Sequence, residues 1–331
     1  MKKKLIAMLL SAAMCLSLAA CGQKADTPDT TDPAKPSGDA ATYTVGICQL
    51  VQHVALDAAT QGFKDALTEA LGDKVQFVEQ NAANDIPTCA TIVNGFVSDG
   101  VDLILANATP ALQAAVAATD SIPILGTAVT EYGVALDIKD FNGTVGGNVS
   151  GTSDLAPLDQ QAAMILELFP DAKKVGILYC SAEPNSVYQS DVVKAELEKS
   201  GVTVSVYTFA DSNDVAAVTA TACDENDVLY IPTDNTAASC TEAINNVAEP
   251  AGVPIIAGEE GICAGCGVAT LSINYYDLGV TTGKMAAKIL TGEANISEMP
   301  IEYFPDPVKK YNPAICEALG ITVPEDYVAI G

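Results

Sequence analysis

The 331-residue chain has no arginine and no tryptophan, and it has a single histidine, His53. Its basic residues are therefore all lysine, and 16 of them face 42 acidic residues for a formal charge of −26. A chain this acidic repels a polyanion, so nucleic acid is excluded as a partner. Without a guanidinium there is no bidentate clamp for a phosphate or a second carboxylate, which disfavours phosphorylated and dicarboxylate ligands. The lone histidine also removes most catalytic constellations. A Ser-His-Asp site would have to use His53, and no Gly-x-Ser-x-Gly turn accompanies it. There is no phosphate-binding loop, no dinucleotide glycine fingerprint and no zinc-protease motif. No catalytic residue, no metal site and no cofactor is expected.

Cysteine, by contrast, is plentiful at 10 residues. Cys48 and Cys180 end apolar runs and read as small buried side chains. Cys263-Ala264-Gly265-Cys266 has the spacing of a metal or redox motif. A zinc site needs a second pair or histidines nearby, and none stands there. A thioredoxin-type site would open a helix after a strand, whereas glycines surround this motif. It reads as a loop disulfide or free thiols, with metal or redox chemistry as the other reading.

The chain opens with Lys2, Lys3 and Lys4 and an apolar run from Leu5 to Leu18. The run is too short to span a bilayer comfortably. Ala19 and Ala20 then precede Cys21, as small residues precede a lipidation site. Residues 1–20 are expected to be a lipoprotein signal peptide, with Cys21 as the lipidated new terminus. Residues 21–42 are rich in Asp, Thr and Pro and poor in apolar side chains, so they are expected to be a disordered tether. The expected location is the cell surface or periplasm, with the membrane engaged through lipid at Cys21 and by nothing else.

The remainder is too long for one ordinary core and suits two lobes. Val- and Ile-rich runs alternate with helix-like stretches. Strands are expected at 44–50, 75–80, 101–106 and 122–127, with helices near 54–71, 87–98 and 110–119. The pattern recurs with strands at 175–180, 202–209, 228–231 and 253–257 and helices near 186–199, 214–222 and 235–251. Alternating strands and helices mean parallel sheets with right-handed crossovers. Val45-Gly46-Ile47 returns as Val175-Gly176-Ile177, and Ile122-Pro123-Ile124 returns as Val253-Pro254-Ile255 at nearly the same displacement. The fold expected is α/β, with two similar Rossmann-like lobes.

Ligands of open α/β sheets bind beyond the carboxyl ends of the strands, and facing lobes make a cleft. The residues following each strand are therefore the candidates. Thr109-Pro110 has the form of an N-cap with proline at the first helical position. A helix N-terminus holds a carboxylate without a cation, although the same residues serve equally as a plain cap. Asn185 and Ser186, after Pro184, have similar chemistry. Asp234, between Thr233 and Asn235, is an N-cap or an acceptor for a ligand ammonium. Glu259 and Glu260 follow another strand and are turn carboxylates or further acceptors. His53 starts the first helix, and Tyr275 and Tyr276 stack on a ligand or pack on the core. Gln49, Thr127 and Thr130 complete the strand ends in the first lobe.

Taken in order, these segments resemble a known family. They are Gln49 to Asp57, Ala106 to Pro110, Thr127 to Thr130, Gly147 to Leu155, Asn185 to Val187, Pro232 to Thr236, Gly258 to Gly261 and Tyr275 to Gly279. The set resembles the ABC-transporter substrate-binding lipoproteins of the tryptophan/tyrosine-binding type across residues 43–305. Gln52 stands where many relatives have an acid, and Glu131-Tyr132 replaces a frequent Asp-Pro. The resemblance implies a type I periplasmic-binding-protein fold with a hinge of crossover strands. It implies an N-terminal lobe over 43–150, completed by about 268–298, and a C-terminal lobe over 151–267, completed by about 299–331. It implies capture of a neutral, aromatic amino acid and delivery to an ABC permease and its ATPase, without enzymatic activity and as a monomer. The ligand-binding set implied is Gln49, His53, Leu56, Thr109, Thr127, Asn185, Ser186, Asp234, Asn235, Glu259 and Tyr275. Other small neutral metabolites such as a nucleoside or sugar, or a sensory role, are the alternatives.

Overall fold

A computed structural model of the chain describes residues 42–304 and 307–331. The expected signal peptide, Cys21 and nearly all of the expected tether lie outside the described residues. Two sheets carry the fold. The first lobe begins β1 (Tyr43–Gln49), α1 (Val54–Leu71), β2 (Val75–Asn81), α2 (Ile86–Asp99), β3 (Leu103–Asn107), α3 (Thr109–Ala118), β4 (Ile124–Val129), α4 (Tyr132–Ala135) and β5 (Val149–Ser153). The second continues α5 (Leu158–Leu168), β6 (Lys174–Cys180), α6 (Pro184–Lys199), β7 (Thr203–Phe209), α7 (Val215–Glu225), β8 (Val228–Ile231), α8 (Asn235–Ser239), α9 (Thr241–Ala251), β9 (Ile255–Ala257), α10 (Glu260–Cys266) and β10 (Ala269–Ser272). The chain then returns through α11 (Tyr275–Leu290), β11 (Glu302–Tyr303), β12 (Val308–Tyr311), α12 (Pro313–Leu319) and β13 (Val328–Ala329).

The sheet orders are β2-β1-β3-β4-β5-β11 and β7-β6-β8-β9-β10-β12-β13. The first five strands of each follow one pattern, all parallel, and β1 and β6 occupy equivalent places. The internal repeat is therefore topological as well as sequential. Strands buried on both faces need continuous apolar runs, and β3, β4 and β8 are buried throughout.

Several sequence expectations need correction. The sequence places the lobe boundary at 150/151, which falls inside β5. That strand pairs with β4 over Val149–Ser153, so the first sheet runs a few residues further. Likewise β10 pairs with β9 and β12 and belongs to the second sheet, so the return to the first lobe starts at α11. The expected helix over 235–251 breaks at Cys240 into α8 and α9.

Helix α11 is what ties the late chain to the first lobe, and glycine makes this possible. A Cβ on Gly279 would lie 2.0 Å from the Ala59 carbonyl oxygen, and one on Gly62 would lie 2.1 Å from that of Tyr276. Helices α1 and α11 thus meet backbone to backbone, a contact that any side chain at either site would push apart. The chain crosses between lobes after β5, between β10 and α11, and between β11 and β12.

Candidate functional site

The site is assembled from the carboxyl ends of the parallel strands, where both lobes meet. In the first lobe, β3 and β4 end in unusual backbone. Ala108 has φ 94 and ψ 158, and Ala128 has φ 51, both in territory that favours glycine. Strain held at two adjacent strand ends marks a place where geometry matters more than local comfort. Ala108 is the residue before α3, so Thr109 is its first helical residue and Pro110 its second. The expected Thr109 cap is therefore corrected. No side chain caps this helix, and its first-turn N–H groups have no intrahelical partner.

In the second lobe, α6 starts at Pro184 with Glu183 at its cap position, which likewise moves Asn185 and Ser186 inside the helix. Glu183 went unnoticed in the sequence, yet it is 2 % exposed and central. Its Oε2 accepts from Asn235 N–H at 3.0 Å and Asn235 Nδ2 at 2.7 Å. Its Oε1 accepts from Thr236 N–H at 2.9 Å and Thr236 Oγ1 at 2.8 Å. A glutamate directly before proline at a helix start is the signal that could have exposed it. Asp234 caps α8 as expected, accepting from Ala237 N–H at 2.7 Å. Its other oxygen accepts from Cys180 N–H at 2.8 Å and Ser186 Oγ at 2.7 Å. Burial and the nearby Glu183 charge push its carboxyl up to about 8. With both oxygens engaged, Asp234 is a structural brace in this conformation.

Glu259 caps α10 through Gly261 and Ile262 N–H groups, and burial pushes it up to about 7. The Cys263 and Cys266 motif lies on this helix, directly after β9, and not in a loop. Both thiols are buried, and burial raises both far above the ordinary thiol range, which leaves them inert at neutral pH. Asp154, just past β5, is 3 % exposed, and burial raises its carboxyl. Tyr275 OH donates to its Oδ2 at 2.9 Å, and its Oδ1 has no partner among the described residues.

The lobes touch through two polar pairs. His53 Nε2 lies 3.3 Å from Asn235 Oδ1, and Asn84 Nδ2 donates to Thr236 Oγ1 at 3.0 Å. The expected residues thus divide. His53 meets Asn235, while Asn185 and Ser186 gather on Thr233 and Asp234. Glu259 and Tyr275 line one interlobe cavity of about 480 Å³ with Val54, Ala58 and Tyr276. His53 lines a neighbouring one of about 360 Å³. Both sizes fall within the range of small-molecule sites. Glu260 pairs with Lys310 at 2.5 Å at the cavity wall. Gln49 and Thr127 turn inward instead. Gln49 is used up by Thr60, Asp57 and Val51, and Thr127 joins Thr152 and Thr282. Leu56 is buried in the first-lobe core.

Two sheets of one topology, hinged three times around a cleft lined with polar strand ends, define a two-lobed solute-binding protein. Comparison with known proteins makes the class specific. Residues 44–330 match the ABC transporter substrate binding protein family, and the chain belongs to it. A tyrosine-binding protein of Clostridioides difficile is 36% identical over 90% of this chain and 87% of its own length. The ABC domain from Streptococcus pneumoniae, solved in complex with L-Trp, is 34% identical with a TM-score of 0.82, covering 86% of this chain and 97% of that one. A ligand-free, open substrate binding protein from Clostridium difficile is 38% identical but superposes less well, at 0.67, over 87% of this chain and 99% of that one. At similar identity and coverage, the better match is to the ligand complex. That agrees with the polar pairs across the cleft, and the fold is that of the type I periplasmic binding proteins.

Proposed function

We propose that this protein is an extracytoplasmic receptor, anchored by lipid at Cys21, that captures a neutral aromatic amino acid between its lobes. It delivers that ligand as a monomer to an ABC permease driven by an ATPase. The observation that carries the reading is a set of bare buried acceptors beside the residues where the lobes meet. Asp154 Oδ1, Asn185 Oδ1 and His53 Nδ1 are all buried without a partner among the described residues. Buried acceptors left bare are costly, so the cleft calls for a ligand rich in donors. An ammonium fits beside Asp154, whose Oδ1 is bare, and the uncapped α3 terminus near Thr109 suits the carboxylate. Tyr275 offers aromatic surface for a side chain at the cavity wall. The tyrosine-binding and L-Trp-bound relatives support an aromatic amino acid. No helix among the described residues is long and apolar enough to cross a membrane. Membership of a solute-binding family argues for binding without catalysis.

A thermal-shift screen across the amino acids tests this. Ligand at about one hundred times Kd adds about 2.7 kcal/mol, enough to raise Tm by several degrees. Stabilisation by tryptophan or tyrosine is expected, and a flat response to every amino acid would sink the reading.

A further inference from the structure

Asn235 is held from behind. Its Nδ2 donates to Glu183 Oε2 at 2.7 Å, and its own N–H donates to the same oxygen at 3.0 Å. A carboxylate accepts and an amide NH₂ donates, so Glu183 decides which way the Asn235 amide faces. The nitrogen is turned to Glu183, which leaves Oδ1 to face His53 Nε2 across the lobes at 3.3 Å. An amide oxygen has no proton to give, so His53 Nε2 must supply it. Burial holds His53 below its ordinary value, which keeps the ring neutral with a single N–H. Nδ1 is then a bare acceptor, and this buried atom has no partner among the described residues.

We infer that His53 Nδ1 determines specificity by accepting a ring N–H or O–H from the bound amino acid, and that Glu183 is the positioning residue that fixes its tautomer through Asn235. The inference rests on the amino-acid reading above and deepens it. An indole N–H or a phenol O–H satisfies the nitrogen, and a phenyl ring leaves it bare. A site built around such a hydrogen bond discriminates strongly against a ligand that lacks the donor, because its own buried polar atom is stranded.

The chain's single histidine makes the test direct, since imidazole nitrogen–proton spectra report one residue without assignment. The expected spectrum of the liganded protein is the Nε2–H tautomer. Affinities for L-tyrosine and L-tryptophan are expected to exceed those for L-phenylalanine and for β-(3-benzothienyl)alanine by about 100-fold. The latter keeps the indole shape with sulfur in place of N–H. In Glu183→Gln the Asn235 amide loses its fixed orientation, so mixed tautomers and a smaller tyrosine-to-phenylalanine ratio are expected. An Nδ1–H tautomer in the liganded wild type overturns the inference, as does equal affinity for ligands with and without the donor. Neither measurement needs the variant to fold. Equal, tight binding of all four ligands overturns this inference and leaves the functional reading standing, whereas no binding by any of them removes both.

Discussion

The two sides of the cleft hide very different polar groups. Among the described residues, the first lobe buries neutral side chains at its strand ends, including Gln49, Asn107, Thr109, Thr127 and Thr130. The hinge and second lobe bury four carboxyls, Asp154, Glu183, Asp234 and Glu259. The first side offers backbone, with strained Ala108 and Ala128 and an uncapped helix, and the second offers acid. A cleft with N–H groups on one wall and carboxyls on the other is polarised as a zwitterion is. It also solves a compositional problem, because a chain without arginine can still hold a carboxylate on a helix terminus. The acids are not equivalent to one another. Glu183 and Asp234 are saturated by donors from their own lobe, while Asp154 keeps one oxygen bare. Glu259 is engaged as well, through the Gly261 and Ile262 N–H groups, so three acids brace their own lobe and Asp154 alone keeps an oxygen for another donor.

The largest test of this contrast removes the facing charge. Asp154→Asn keeps the shape and an acceptor for Tyr275 OH, so the fold is expected to survive with little change in Tm. Ligand affinity should fall by about 2–5 kcal/mol, as when one partner of a buried charge pair is taken away. Calorimetric titration measures it. Unchanged affinity would move the ammonium elsewhere and leave the polarised-cleft picture without its second wall.

Next in size is an effect of pH on the unliganded protein. Burial raises Glu259 to about 7 and Asp234 to about 8. A raised carboxyl keeps a proton in the folded state where the unfolded chain has already released it. Stability is therefore full below the ordinary carboxylate range, falls as pH climbs through the folded values, and levels off above them. Tm should be higher near about pH 5 than near about pH 8. A bound ammonium favours the ionised acids, so ligand should flatten that slope. A flat curve without ligand would mean that these carboxyls are ionised throughout and are balanced by some other charge.

How far this arrangement can be read from sequence depends on the kind of signal. Helix α1 over Val54–Leu71 and strand β8 over Val228–Ile231 follow from period and composition, and both come out as expected. The repeat of Val-Gly-Ile located two equivalent central strands because close packing repeats with the topology. Helix α10 reads as a loop in the sequence because glycine lowers helix propensity. Its formation depends on a Glu259 cap and on buried Ile262, Cys263 and Cys266, which are tertiary facts. Glu183 does not stand out in the sequence for a similar reason, since a lone glutamate is usually a surface residue. Its importance lies in Asn235 and Thr236, some fifty positions away.

The smallest effect is expected from the backbone of the first wall. Nothing in the composition announces that Ala108 sits at φ 94, since alanine favours ordinary backbone. Such strain costs about 1–3 kcal/mol. Ala108→Gly relieves it, but the freer unfolded chain takes back about 0.4–1 kcal/mol and the lost buried methyl about 0.8 kcal/mol. Stability should therefore change by between about −0.8 and +1.8 kcal/mol, rising where the strain lies in the upper part of its range. If the strain serves to aim the α3 N–H groups, the same change should weaken ligand binding a few-fold by loosening them. Where the relieved strain exceeds those losses, the two readouts move in opposite directions, which a purely structural role for Ala108 would not produce. Thermal unfolding and titration on the same sample separate the cases. A rise in stability with unaltered affinity would show that the strained turn is a cost of folding and no part of how the first wall holds a carboxylate.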